Sequence, residues 1–379
     1  MHWGLFILLN FLLLLFFGVG ESRLFVERFP VGSAVCKVLP GMSKEQLALC
    51  YRNPDVIMAA VEGIHMAVDE CKFQLKDNRW NCSTMETKNK NPHSSIILQR
   101  GYPVSAFFKA IASAGVASSV ARACSSGQLS DCSCARQRHR GGSSGRRRSG
   151  RGGWKWSGCS DNLRYGLDFS RRFLDARERN ALDIQSSINL HNNKAGRLAV
   201  ENNKQVKCKC HGVSGSCEIK TCWVTAPEFR VVGDELKTKF QNAILVDQSN
   251  LGNGATQLIE ETNAGRNRRA KRPGVGPAGR GRKKQRRSGS ERNLDNSLLY
   301  YEKSPTFCEK DPSIDSPGTE GRQCNLTSKG HDSCASLCCG RGYTSVKKLK
   351  KERCNCKFQW CCTVSCETCL KTEWITVCQ

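Results

Sequence analysis

Apolar residues are distributed along this chain in several distinct patterns. Leu5 to Phe17 is a nearly unbroken apolar run, interrupted by Asn10, with no charged residue before Glu21. A bilayer span needs about 20 apolar residues, and Gly18-Val19-Gly20 offers small residues where a signal peptidase reads. Residues 1–20 are therefore expected to be a cleaved signal peptide, an uncleaved anchor being the alternative. No later segment is expected to cross a membrane. Apolar positions then recur three and four apart, the period of a helix face. Asn53-Pro54 opens the first stripe, with Asn as cap and Pro at the first helical position; Val56, Ala60, Ile64, Ala67, Val68 and Cys71 follow. Pro103 opens a second stripe (Phe107, Ala110, Ile111, Ala114, Ala117). Ser160 is placed to cap a third (Leu163, Leu167, Ser170, Leu174). Ile184, Ile188, Ala195 and Leu198 mark a fourth, and Phe229, Val232, Leu236 and Phe240 a fifth. These are expected core faces of a helical bundle. Beyond Cys308 the helical period is lost; Gly, Ser and Lys fill the gaps between cysteines, so short strands and long loops are expected.

Cysteine usage explains that change. The 379 residues include 24 cysteines, an even number that favours an oxidising compartment and a disulfide framework over a cytosolic enzyme. Twelve lie from Cys36 to Cys222 and twelve from Cys308 to Cys378, so each half can close its own bridges. The small C-terminal region cannot build a large core and must be stapled. The domains expected are a mainly α N-terminal domain over 21–245, a basic flexible linker over 246–300, and a cystine-rich β-hairpin domain over 301–379.

The formal charge of +25 is as uneven as the cysteines. Arg136 to Arg151 holds seven Arg and no acid; Ala264 to Arg292 holds twelve Lys or Arg and one acid. Both stretches are rich in Gly and too poor in large apolar residues to fold alone. The first is expected to be a disordered loop within the helical domain, the second part of the linker. An excess of positive charge implies an acidic partner, and secretion makes nucleic acid an unsuitable one. Asn81-Cys-Ser83 and Asn325-Leu-Thr327 are N-glycosylation sequons.

Two clusters carry most of the chemistry. In Cys208-Lys-Cys210-His-Gly-Val-Ser-Gly-Ser-Cys217-Glu-Ile-Lys-Thr-Cys222, cysteines two apart share one face of a strand. They bridge each other poorly but pair with a facing strand. Nesting gives Cys210–Cys217 inside Cys208–Cys222, a hairpin over 208–222 with Val213 and Ser214 at its tip. The offset of the outer pair calls for a bulge or twist on the second strand. In Cys354 to Cys369, nesting gives Cys356–Cys366 inside Cys354–Cys369, a hairpin over 354–369. Its tip is Cys361-Cys362, preceded by Trp360, and those two thiols most readily bond to each other. A zinc site is the alternative at both clusters, though no metal is expected. Gly212-Val-Ser214-Gly-Ser216 also approximates a hydrolase nucleophile elbow beside His211. Its fifth position is Ser, however, and no α/β sheet is in sight, so no enzyme activity is expected.

At these residues the chain closely resembles the Wnt family of secreted, lipid-modified signalling proteins. The matching stretches are Arg79-Trp-Asn-Cys82-Ser, Cys208 through Trp223, Cys338-Cys-Gly-Arg-Gly342 and Phe358-Gln-Trp-Cys-Cys362. Pro227-Glu-Phe-Arg230 and Tyr301-Glu-Lys-Ser-Pro305 look most like the subgroup numbered ten. The resemblance implies a two-domain, hand-like shape whose thumb is the first hairpin and whose finger is the second. It implies an O-palmitoleoyl chain on Ser214, attached by Porcupine, and export by Wntless through the endoplasmic reticulum to the extracellular space and matrix. It implies that the thumb (His211, Gly212, Val213, Ser214, Gly215) and the finger (Phe358, Trp360, Cys361, Cys362, Val364) grip the cysteine-rich domain of a Frizzled receptor. A lipoprotein-receptor-related co-receptor would bind at the linker and neighbouring surfaces, starting β-catenin signalling in development. The lipid and the N-glycans at Asn81 and Asn325 are covalent, and no dissociable cofactor is expected. The basic loops would attract heparan sulfate. By the same resemblance Cys71 pairs with Cys82, Cys124 with Cys132, Cys134 with Cys159, Cys308 with Cys339, Cys324 with Cys334 and Cys338 with Cys378. Cys36 and Cys50 are left over, and their pairing is the remaining expectation. An unlipidated, heparin-binding cystine-rich growth factor is the competing reading.

Overall fold

Where proline or a capping side chain opens an apolar stripe, a helix follows. A computed structural model describes residues 34–39, 41–85, 95–135, 156–179, 183–248, 258–260, 297–360 and 363–379. Its main helices are α1 (Ala34–Val38), α2 (Lys44–Arg52), α3 (Pro54–Gln74), α4 (Pro103–Ser125), α5 (Leu163–Leu174), α6 (Ile184–Asn202) and α7 (Phe229–Gln241). Helix α2 starts with a reciprocal capping box: the Ser43 hydroxyl accepts from the Gln46 N–H, and Gln46 Oε1 accepts from the Ser43 N–H. Helix α3 starts at Pro54 as expected, but the Asn53 side chain does not cap it and donates to Asp131 instead. The cap of α5 is Asn162, whose Oδ1 accepts from the Tyr165 N–H at 3.2 Å. Ser160, the expected cap, accepts from the Val224 N–H at 2.9 Å and so ties a distant strand to the helix start.

The second stripe understates α4. Nearly its whole circumference is buried, including Ser105, Ser113 and Ser118. Glycines explain how the neighbours come so close. A Cβ on Gly115 would lie 2.1 Å from the Gly63 carbonyl oxygen of α3. One on Gly166 of α5 would lie 2.2 Å from the Ala117 oxygen, and one on Gly196 of α6 would lie 1.9 Å from the Ala110 oxygen. Three helices therefore press their backbones onto α4. By length and composition α4 could also cross a membrane, but 89% of its most apolar window is buried inside the protein, so it serves as a core helix.

Helix α6 also departs from its stripe. Ile188 and Ala195 are buried, but so are Asn192, Asn193 and Arg197. Arg197 makes two bonds to the Asp175 carboxylate, at 3.0 and 2.9 Å, and Asn193 donates to the same group. Buried charge is tolerated only when paired and hydrogen-bonded in this way.

Three short strands complete the N-terminal half: β1 (Trp156–Ser157), β2 (Gln205–Cys210) and β3 (Lys220–Thr225), in the order β1-β3-β2. Both ends of the segment expected to be a flexible linker are ordered. Strand β4 (Ile244–Gln248) pairs antiparallel with β5 (Leu258–Glu260) and parallel with β6 (Leu299–Tyr300). Leu298 and Leu299 are fully buried, and the Asn192 side chain bonds both the N–H and the carbonyl of Leu299. The apolar pair Leu298-Leu299 and a waiting amide dock that end.

The C-terminal half contains β7 (Gln323–Cys324), helix α8 (Cys334–Leu337), β8 (Tyr343–Gln359) and β9 (Thr363–Cys378), with sheet order β7-β9-β8. Short strands were expected, yet β8 has 17 residues and β9 has 16. A long backbone ladder holds them, which a cysteine count does not reveal. The local core is Cys324, Cys334, Leu337, Cys338 and Cys378. The sulfurs of Cys324, Cys334 and Cys338 converge within 4.8 Å, but each belongs to a disulfide, so the cluster is covalent packing. Two arginines clasp the halves together. Arg322 donates to the carbonyls of Lys76, Asn78 and Arg79, and Arg79 donates back to the Ser336 carbonyl.

Candidate functional site

Both cysteine clusters fold into hairpins. In the first, β2 and β3 stay in register from Gln205 opposite Thr225 to Cys210 opposite Lys220. Cys208 stands directly opposite Cys222, Cα atoms 4.1 Å apart, and the two are bridged. The bulge expected on the second strand is absent. The offset is absorbed in the tip, where Cys210 reaches past the last strand pair to Cys217. The His211 N–H donates to the Ile219 carbonyl at 2.7 Å and the Gly212 N–H to the Ser216 carbonyl at 2.9 Å, closing the loop. Gly212 is required there, since a Cβ would lie 1.9 Å from the Ser216 hydroxyl.

Ser214 sits at the apex of that loop with φ +56°, a left-handed conformation that is uncommon for a side-chain-bearing residue. It is exposed, and Val213 beside it is 89% exposed. Among the described residues the Ser214 hydroxyl has no hydrogen-bond partner. The His211 ring bonds the Thr221 hydroxyl at 2.8 Å rather than Ser214. The loop joins two antiparallel strands, so it lacks the strand-to-helix turn of a nucleophile elbow. Its geometry suits a serine offered to another molecule. The root is firm: Gly158 and Asp161 donate backbone N–H groups to Cys222 and Val224, and Asp161 accepts from the Ala226 N–H.

In the second hairpin the ladder from Tyr343 opposite Cys378 shifts by one residue between Cys354 and Lys357. Asn355, with φ +47°, lies in that shift, and its amide donates to the Glu367 carboxylate at 2.8 Å. The bulge allows two bridges of different reach: Cys354–Cys369 with Cα atoms 5.9 Å apart, and Cys356–Cys366 with 4.0 Å. Phe358 stands opposite Val364 near the tip. Trp360 is 94% exposed, Phe358 70% and Val364 62%. Burying each would contribute roughly 1.5–3 kcal/mol, so three such side chains in water mark a surface made for a partner. Cys361 and Cys362 lie outside the described residues, as do residues 1–20, the loop 136–151 and the basic stretch 264–292.

The structure bonds Cys36 to Cys50, Cys71 to Cys82, Cys124 to Cys132, Cys134 to Cys159 and Cys308 to Cys339, besides the pairs already named. Asn325 is exposed, and its Oδ1 accepts from the Thr327 N–H and hydroxyl; Asn81 is half-buried, and its Oδ1 accepts from the Ser83 N–H. Sequence reasoning located the two tips but missed the finger's shaft, where Leu349, Leu370 and Trp374 are also exposed. Lysines and cysteines crowd that stretch, so no alternating apolar pattern announces the long strands in the sequence.

Residues 38–379 match the family model described as wnt family. Among solved structures the chain is similar to that of human WLS in complex with WNT8A. The TM-score is 0.56 and the identity 32%, covering 85% of this chain and 93% of that one. It also matches the crystal structure of the Drosophila WntD N-terminal domain-linker, over 67% of this chain and 98% of that one, at 17% identity and a TM-score of 0.39.

Proposed function

The chain belongs to the Wnt family, and from that premise we propose that it is a secreted ligand carrying a palmitoleoyl chain on Ser214. Porcupine attaches the lipid. Wntless carries the product out, a partnership supported by the presence of WLS with WNT8A in the similar complex. The thumb tip and its lipid enter a groove on the cysteine-rich domain of a Frizzled receptor. The finger tip, led by Phe358, Trp360 and Val364 with Cys361 and Cys362, grips the opposite side. Residues 246–300 and neighbouring surfaces engage a lipoprotein-receptor-related co-receptor, and the paired receptors start β-catenin signalling. The protein acts as a ligand and not as an enzyme. N-glycans occupy Asn81 and Asn325, and the basic stretches hold the ligand in the matrix by salt-sensitive attraction to heparan sulfate.

The observation that carries this reading is Ser214 itself: exposed, without a partner among the described residues, at the apex of a loop secured by two disulfides. An acyl chain there supplies roughly 0.8 kcal/mol per buried methylene, on the order of 10 kcal/mol before ordering costs. The finger adds Trp360, a residue type enriched in binding hot spots. Ser214→Ala is expected to abolish Frizzled binding and reporter activation, and mass spectrometry of the native Ser214 peptide is expected to show a C16:1 acyl addition. Full signalling by the variant, or an unmodified native peptide, overturns the proposal. An unmodified peptide on an active protein would favour the heparin-binding growth factor.

A further inference from the structure

Helices α5 and α6 together line an open groove of about 1270 Å³ on the helical half. It is larger than the ~300–1,000 Å³ of a small-molecule pocket. Leu163 and Leu167 of α5 and Leu190 and Leu198 of α6 line it, all half-buried. Leu163 and Leu167 are four residues apart and adjoin on one face of α5, while Leu190 and Leu198, eight apart with Lys194 between them, lie on the same broad side of α6. Arg164, Arg171, Arg172, Arg179, Lys194 and Lys204 contribute exposed cations to its lining. Two carboxylates, Asp168 and Glu201, face these six; Asp168 is held by Arg171 at 3.4 Å. The remaining ion pair, Asp175 with Arg197, is buried and neutral overall.

We propose that this groove is a docking site for an acidic amphipathic helical segment of a partner protein. Leucines at helical spacing suit the apolar face of a second helix, the usual helix-in-groove arrangement. The surrounding cations suit acidic residues on the flanks of that helix and repel a basic one. This excludes the chain's own long basic stretches, 136–151 and 264–292, as occupants. A sulfated glycan would satisfy the cations but leave the leucines unused. The groove is built from residues other than those of the two hairpin tips, so its partner is additional to whatever the tips hold.

The test uses the full secreted protein and a fluorescein-labelled synthetic helix with Leu at positions i, i+3, i+4 and i+7 and Glu at the positions flanking that apolar face, read by fluorescence anisotropy at fixed salt. The double substitution Arg164→Glu with Lys204→Glu is expected to weaken binding at least tenfold, and Leu190→Ala about threefold. Arg164→Gln with Lys204→Gln, which introduces no new charge, is expected to weaken it about fivefold and serves if the reversal is not secreted. A control peptide with every Leu replaced by Ser at the same charge is expected to lose binding. Unchanged affinity in the groove variants places the peptide on the basic stretches and overturns the proposal. Equal binding of the Ser peptide, or a heparin oligosaccharide whose binding alone is lost in the variants, overturns it in favour of a glycan site.

Discussion

The two halves of the molecule each contain twelve cysteines and use them differently. In the helical half bridges reinforce a core that already exists: Trp80, Phe107, Phe108 and Ile111 are fully buried among many neighbours, and Cys71–Cys82 is buried in the same cluster. In the C-terminal half four of the five residues of the local core are cysteines. The hairpins follow suit. The thumb is short and rooted through Ser160 and Asp161 in the helix start. The finger extends 17 and 16 residues with little packed beneath it, its register kept by backbone pairing and its tip by sulfur. One lesson follows for any cystine-rich ligand: bridges substitute for a core only where the chain is too short to bury one.

That contrast can be broken experimentally. The largest effect is expected from Cys338→Ser with Cys378→Ser, which removes a bridge spanning 40 residues from the small sulfur core. A loss of about 2–5 kcal/mol should bring fast amide exchange to β8 and β9 while the helical signal in circular dichroism persists. Slow exchange in the finger without that bridge would contradict a core made of sulfur. A smaller and complementary effect is expected from Gly115→Ala. The new methyl group meets the Gly63 backbone and should cost about 1–3 kcal/mol, lowering the melting temperature of the helices and leaving finger exchange unchanged. Equal loss of protection in both halves would show that they unfold as one unit.

The smallest effect concerns the N-terminus of α6. Asp183 accepts from the Ser186 N–H, and hydrogen bonds to the Ser186 side chain and backbone hold its carboxyl below the usual aspartate value of 3.8. A depressed value in the folded state means that stability is fully present above 3.8 and is lost as pH falls through the lower folded value. Asp183→Ala should cost about 1 kcal/mol at neutral pH and flatten the acid limb of the helical half below pH 3.8. An unaltered acid titration of helix content would remove Asp183 from the account.

Much of the candidate site was legible beforehand because it is local. The nesting of Cys208, Cys210, Cys217 and Cys222 places Val213 and Ser214 at a tip without reference to the rest of the chain, and Cys354 to Cys369 places Trp360 near another. Pro54 and Pro103 likewise open helices by their own backbone chemistry. Other features were illegible because a competitor arrives from far away. Ser160 and Asn162 are both good caps, and the choice between them rests on the Val224 N–H, 64 residues on, which takes the Ser160 hydroxyl. The thumb's missing bulge is similar: the tip loop closes through His211 and Gly212 rather than through a distorted strand.

By itself the sequence determined the two-domain division, the hairpin tips, the family resemblance and the helix starts at Pro54 and Pro103. These depend on covalent spacing and on contacts within a few residues. Tertiary structure alone decided that α4 is buried all round, that α6 carries a paired Asp175–Arg197 core, that Leu298 and Leu299 dock on the helices, and that a basic, leucine-floored groove opens between α5 and α6. The physical reason is that an apolar stripe states only that a face is to be covered. Which face becomes central, and which polar group finds a partner, is settled when other elements arrive to compete for the same surface.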